Sequence, residues 1–251
     1  MITWATAFPR LDRGRLGPHA RVLAGGHRDD PVVVPGPGRR VRHARPRRRR
    51  RVPAGAAGAV RPPGGTHLDL HVPDVRAAAD DAVRLGAREV ATSDVVVLAS
   101  PGGLPFCFVD AYPARRPAAP AWPHPGGGTH ASLADQLAID VPAEHWDAER
   151  RFWVALTGWP EQPTAPGAAL VPLRRPDGLP LRLLLQRLDE PEGAVRAHLD
   201  LACDDRAAET DRHLALGARV EAVRERWTVL VDPAGRRYCL TDRLPATGAL
   251  P

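Results

Sequence analysis

The chain has 251 residues, 43% of them hydrophobic, which is room for two compact domains. No stretch approaches the roughly 18 apolar residues of a membrane span, Met1–Phe8 is followed by Pro9, Arg10 and Asp12 rather than by a signal peptide's segments, and Cys107, Cys203 and Cys239 are an odd set without C-x-x-C spacing; a membrane, secreted or disulfide-framework protein is not expected, and a cytoplasmic one is. The net charge of +6 is carried by arginine alone and is uneven: residues 9–63 hold 15 arginines and 3 aspartates, a balance of +12, so the remainder carries −6.

Ile2–Phe8 has the look of a strand, and the segment 9–63 that follows has no strand or helix periodicity. It contains five consecutive arginines, Arg47–Arg51, and an Ala/Gly run from Ala54 to Ala59. Three readings are open: frameshifted or decayed coding sequence, a disordered tail, or a basic arm for nucleic acid. Aromatic interleaving and DNA-binding motifs are absent, which disfavours the last. Length favours the first, because 66 residues precede His67 and the matching stretch before its repeat partner His198, counted from Leu133, is 65, so a module's room is kept while its pattern is lost.

From Thr66 the sequence THLDLHVPDVRAAADDAVRLGAREV predicts a strand and then a helix that stops near Gly86. Val95–Asp110 then reads as a strand hairpin. The proline-, alanine- and glycine-rich stretch Pro113–Gly128 reads as a linker. Gln136–Val141 alternates as a strand, Pro142 opens a helix with Phe152, Trp153 and Leu156 on its apolar face, Gly158 ends it, and Leu181–Leu188 is an apolar strand. Ala197–Ala202 is a strand with Leu199 and Leu201 on one face and His198 and Asp200 on the other. Asp204 and Asp205 start a helix with Ala207, Ala208, His213 and Leu214 at helical spacing, Gly217 stops it, and Trp227–Val231 and Tyr238–Thr241 flank an Asp232-Pro-Ala-Gly turn.

The Thr66 unit recurs from Ala197: His67, Asp69 and Leu85-Gly-Ala-Arg match His198, Asp200 and Leu216-Gly-Ala-Arg at an offset of 131, and Cys107 matches Cys239 at 132. The HLDL strand, the helix ending L-G-A-R, the V-L-x-D-P-x-G turn, the F-W-V-A-L-T-G-W helix end at Phe152–Trp159 and the L-R-L-L-L-Q strand at Leu181–Gln186 resemble the glyoxalase-like branch of the vicinal oxygen chelate superfamily. The resemblance covers Gly64–Arg243 and implies an α+β fold: paired βαβββ modules forming a curved mixed β-sheet with helices outside, in two tandem domains, the first one incomplete. The domains would be residues 1–112 and 133–244, with a 113–132 linker and a 245–251 tail.

Catalytic members of that superfamily hold a divalent ion with four residues, one each on the first and last strand of both modules, typically His or Gln, Glu, His and Glu. By motif, these places fall to Gln136, Gln186, His198 and Cys239, with Cys107 the counterpart of Cys239, and this set lacks both carboxylates. Gln136 and His198 remain the metal candidates. The alternative for His198 is a hydrogen bond with Asp200 on the same strand face, and the cysteines read as small buried residues. His67, Asp69 and His71 share one strand face, a ladder poorly shaped to wrap one ion.

Two functions follow. One is a metal-free protein binding a small hydrophobic or aromatic metabolite in the second domain, with Gln136, Gln186, His198, Asp200, Trp159, Trp227 and Cys239 on the pocket wall; it needs no cofactor. The other is a lyase or dioxygenase using nickel, zinc, manganese or iron. A small molecule is the expected partner in both, a homodimer is compatible, and membrane and nucleic acid are not expected.

Overall fold

The computed structural model describes residues 2–9, 65–92, 95–111, 116–124 and 127–251. The arginine-rich segment 9–63, apart from Pro9, lies outside them, and with it the frameshift, tail and nucleic-acid readings and the incompleteness of the first domain. Among the described residues the chain builds two mixed sheets with three α-helices. Strands β1 (Trp4–Pro9), β2 (Thr66–Val72), β3 (Arg88–Thr92), β4 (Val96–Ala99) and β5 (Pro105–Asp110) form the first, in the order β1-β2-β5-β4-β3, with helix α1 (Val75–Arg84) after β2. The second contains β6 (Ala121–Pro123), β7 (Thr129–Val141), helix α2 (Trp146–Thr157), β8 (Leu170–Pro172), β9 (Arg182–Arg187), β10 (Arg196–Cys203), helix α3 (Arg206–Ala215), β11 (Arg219–Val223), β12 (Trp227–Val231) and β13 (Arg237–Thr241). Its order is β11-β12-β13-β10-β7-β9-β8, with β6 added on β7. No described helix is long and apolar enough to cross a membrane.

Local chemistry places the repeated helices. Asp74 and Asp205 accept from the backbone N–H of Ala77 and Ala208, both at 2.9 Å, capping α1 and α3 at matching places. Gly158 takes φ +69° and ends α2 in the left-handed turn expected of it. Two features differ from the sequence reading. Within the proline-rich linker, Ala121–Pro123 pairs with β7, and the buried Trp122 donates from Nε1 to Ser132 Oγ at 2.9 Å. On α3 the buried side chains are Ala208, Glu209 and His213, whereas Ala207 and Leu214 face solvent. Glu209 and His213 can be buried there because each finds polar partners on the neighbouring strands.

The apolar strand faces are covered by helices. Leu137, Ile139 and Val141 of β7 and Leu183 and Leu185 of β9 pack in one core with Phe152, Trp153 and Trp159. That core is continuous with the first sheet through Phe106, whose ring lies 5.4 Å from Trp153 and 5.9 Å from Phe152. Glu149 Oε2 accepts from Trp153 Nε1 at 2.6 Å and Oε1 from Gly102 N at 2.7 Å, so one buried carboxylate ties α2 to the turn between β4 and β5. Gly102 is required at this approach, since a Cβ there would stand 2.4 Å from Val195 Cγ2. Trp153→Ala, removing a side chain that is 0% exposed, is expected to lower unfolding free energy by about 3–5 kcal/mol, read from the urea midpoint.

Candidate functional site

Strand register decides which polar side chains meet. In the second sheet Asp200 lies opposite Gln136 on β7 and opposite Cys239 on β13, His198 lies opposite Ala138, and Asp140 lies beside Gln186 of β9. Side chains opposite one another share a face, so Gln136, Asp140, Gln186, His198, Asp200 and Cys239 occupy the face turned away from α2 and α3. Trp227, two residues before Val229, the partner of Cys239, is half-buried on the same face. Trp159 is not there: Gly158 turns the chain back, Trp159 N donates to Thr157 Oγ1 at 3.1 Å, and the indole is buried in the core. The expectation that Trp159 lines the pocket is thereby corrected, whereas the other six candidates share the face.

At the centre is His198. Its Nδ1 is 2.9 Å from Asp140 Oδ2, leaving Nε2 directed at Asp200 Oδ1 (3.3 Å) and Cys239 Sγ (3.6 Å). The far oxygen of Asp200 accepts from Gln136 Nε2, and Gln136 Oε1 accepts from Arg182 Nε. A hydrogen-bonded line therefore runs from Arg182 through Gln136 to Asp200. Burial opposes charge on the His198 ring, but the contacts with Asp140 and Asp200 outweigh it and hold its pKa well above the usual 6.5. Burial also opposes ionisation of Asp200, yet His198 brings its carboxyl below the ordinary range. Burial pushes the Cys239 thiol up, against the pull of His198.

The polar atoms match what a divalent ion asks for. Asp140 Oδ1 is buried and makes no hydrogen bond, and Asp200 Oδ1, also buried, has only the contact with His198 Nε2 at 3.3 Å, so a cation that displaced the Nε2 proton would meet carboxylate oxygen and imidazole nitrogen together. Ligand atoms of His198, Asp200 and Cys239 all lie within 4.8 Å of one another. Asp140 on Nδ1 holds the ring so that Nε2 would face the ion once its proton is displaced, the usual support of a metal-bound imidazole, and Gln136 steadies Asp200 in the same way. The residues present thus fit a three-ligand site. They do not complete the four-residue set implied by the family resemblance. The two modules of this domain align at Asp140 and Asp200, which stand six residues before Trp146 and Arg206, the first residues of α2 and α3. His198 then corresponds to Ala138, which has no donor atom, and Cys239 corresponds to Gln186. Gln136, read as a metal candidate, holds Asp200 instead.

The first sheet repeats the cluster with two changes. His67, Asp69 and Cys107 also place their ligand atoms within 4.8 Å, with His67 Nε2 3.3 Å from Cys107 Sγ. There Asp69 Oδ1 lies 2.9 Å from Nδ1 of the ring rather than facing Nε2, and Phe8 of β1 takes the place opposite His67 that Ala138 takes opposite His198. His71, on the same face, is 2.9 Å from the Asp110 carbonyl through Nδ1 and 3.4 Å from Thr6 Oγ1 through Nε2, so the ladder is tied up in strand contacts. Two shallow surface clefts, one lined by Arg76, Asp80 and Arg84 and the other by Arg150 and Glu161, involve none of these residues.

Asp140 and Arg182 went unnoticed in the sequence. The signal was available, because Gln136 and Asp140 are four apart on one strand and must share a face.

A family model of the glyoxalase-like domain matches residues 15–109 and again residues 136–241. The first match opens inside the arginine-rich segment, where the repeat leaves room for a module. Among solved structures, a variant of homoprotocatechuate 2,3-dioxygenase from B. fuscum in complex with HPCA is similar over 72% of this chain and 56% of that one, with 16% identity and a TM-score of 0.50. A second variant of that enzyme from Brevibacterium fuscum gives the same figures. A mutant 4-hydroxymandelate synthase from Streptomyces coelicolor is similar over 74% of this chain and 70% of that one, with 16% identity and a TM-score of 0.47. The chain thus spans about half the length of the dioxygenase it resembles, and such identities speak for the fold alone. Comparison with curated proteins gives no sequence match. Two matched segments covering most of the sequence, each containing a module of the repeat, make the chain a member of the glyoxalase-like domain family.

Proposed function

We propose that the second domain holds a divalent ion between His198, Asp200 and Cys239 and acts on a small molecule laid against the inner face of its sheet. The observation that carries this is the convergence of Asp200 Oδ1, His198 Nε2 and Cys239 Sγ within 4.8 Å of one another in a buried place, where His198 Nε2 at 3.3 Å is the neighbour of Asp200 Oδ1. A nitrogen, oxygen and sulfur donor set suits zinc better than it suits harder ions such as magnesium, calcium or manganese, which prefer oxygen ligands. When bound, such an ion would polarise an oxygen of the ligand, which supports a lyase-type reaction over a dioxygenase-type one. Asp140 orients the imidazole, Gln136 orients Asp200, and Gln186 and Trp227 offer a hydrogen-bonding and a stacking surface to the ligand.

A second reading, a metal-free protein binding a hydrophobic or aromatic metabolite, is favoured by Ala138, which leaves the family's quartet one donor short. Elemental analysis after dialysis against zinc, nickel, manganese or iron separates the two. The metal reading expects wild-type protein to retain about one equivalent of zinc more than His198→Ala or Asp200→Asn. Equal metal content in all three would leave the metal-free reading standing and send the work to ligand screening by Trp227 fluorescence.

A further inference from the structure

Beside the His198 cluster, on the Gln136 side, four arginines gather around Asp135, one of them bonding its carboxylate. Asp135, bulged out of register between the Gln136 and Ala134 pairings, accepts from Arg243 through both oxygens, and its backbone carbonyl accepts from Arg175 Nη1 at 3.3 Å. Arg175 and Arg116 share a second acceptor, the carbonyl of Pro180, at 2.8 and 3.1 Å. Arg116 also donates to Pro245 O at 2.8 Å and Arg175 to Thr247 O at 3.4 Å, so the segment after β13 is strapped over the cluster by its carbonyl oxygens. The fourth, Arg182, stands on the inner face opposite Gln136. It donates through Nε to Gln136, and among the described residues its two Nη groups make no hydrogen bond.

Four guanidinium groups stand around Asp135, with Asp200 acting on Arg182 and Asp177 on Arg175, which leaves a net positive balance in a partly desolvated place. Burial and the neighbouring arginines hold Arg182 down at about 10 and lower Arg175 and Arg116 too. Like charges gathered this way repel, and carbonyl dipoles do not neutralise them. An oxyanion would, and a planar fork with free Nη groups is built to receive one through paired hydrogen bonds.

We propose that the ligand of the inner face carries a carboxylate or phosphate group, and that Arg182, backed by Arg175 and Arg243, binds it. The inference rests on the reading that this face holds a small molecule, and it adds the ligand's chemical class. The line Arg182–Gln136–Asp200 would place that anionic end next to the His198 cluster.

The test is titration calorimetry of the full chain, stripped of metal by chelator, with inorganic phosphate and separately with benzoate. Saturable binding is expected, weakened at least about tenfold by Arg182→Gln and less by Arg182→Lys, which keeps charge but loses the fork. Arg187→Gln, on the exposed end of the same strand, is expected to change nothing. Tighter phosphate binding would assign a phosphorylated ligand and tighter benzoate binding a carboxylic acid. Should Arg182→Gln fold poorly by circular dichroism, Arg182→Lys alone decides. Absence of binding by the wild type, or equal binding by the Arg182 variants, would overturn the proposal. Binding that needs added zinc and vanishes in His198→Ala would also overturn it, while leaving the metal reading intact.

Discussion

Asp135→Ala is expected to destabilise the second domain by about 3–5 kcal/mol, which a urea-unfolding midpoint would show directly. Asp135 is 0% exposed and its partner Arg243 4% exposed. Truncating the carboxylate leaves the buried Arg243 guanidinium unpaired beside Arg116, Arg175 and Arg182. Gly248 is packed on the same group, a Cβ there being 2.8 Å from Asp135 Oδ2, so the closing strap would lose its seat as well. Asp135→Asn keeps acceptor and size but not charge, and is expected to fall between wild type and alanine. A midpoint unmoved by Asp135→Ala would mean that the arginines are neutralised by solvent.

Glu209→Ala is expected to cost a similar amount, about 3–5 kcal/mol, for a different reason. Glu209 is 0% exposed, yet it accepts from Ser132 Oγ at 2.6 Å and from Arg212 at 2.7 Å through each oxygen, and lies 2.8 Å from His130 Nε2 and 3.0 Å from His213 Nε2. His213 Nδ1 continues the network to the Tyr238 hydroxyl at 2.6 Å, and Arg212 lies 4.0 Å above the Trp122 ring. One carboxylate thereby joins α3 to β6, β7 and β13. Burial alone would raise its pKa, but Arg212, His213 and Ser132 bring it far below the ordinary 4.5. A depressed folded value means that its contribution is complete above the unfolded pKa and is lost as pH falls toward the folded one. Unfolding free energy should therefore decline as pH drops below about 5, and that decline should be shallower in Glu209→Gln. Parallel pH profiles in the two proteins would contradict the role given to Glu209.

Much of the fold was legible because the repeat was. The HLD strand, the aspartate caps and the glycine stops carry their own physics, and each produced the expected element. The hidden parts depend on pairing between distant strands. Nothing local shows that Trp122 will pair a strand out of a proline-rich stretch, since its partners Ser132 and Arg212 come from elsewhere. Motif matching placed Gln136 at a ligand position. Only register shows that His198 faces Ala138 and that Gln136 faces Asp200. Counting ligands from first and last strands alone also overlooked Asp200 as a donor, so the site read as stripped of carboxylates when two, Asp140 and Asp200, flank the imidazole. Arg243 and Asp135 were invisible for the same reason, being 108 residues apart and joined only through a bulge.

The central claim is that His198, Asp200 and Cys239 share one ion, and cobalt(II) substitution tests it most directly, because cobalt bound to a thiolate gives an intense near-ultraviolet charge-transfer band. The account predicts such a band in the cobalt-loaded chain, reduced by Cys239→Ser and by His198→Ala and untouched by Cys203→Ser. A band of full strength in Cys239→Ser, or none in the wild type, would contradict it.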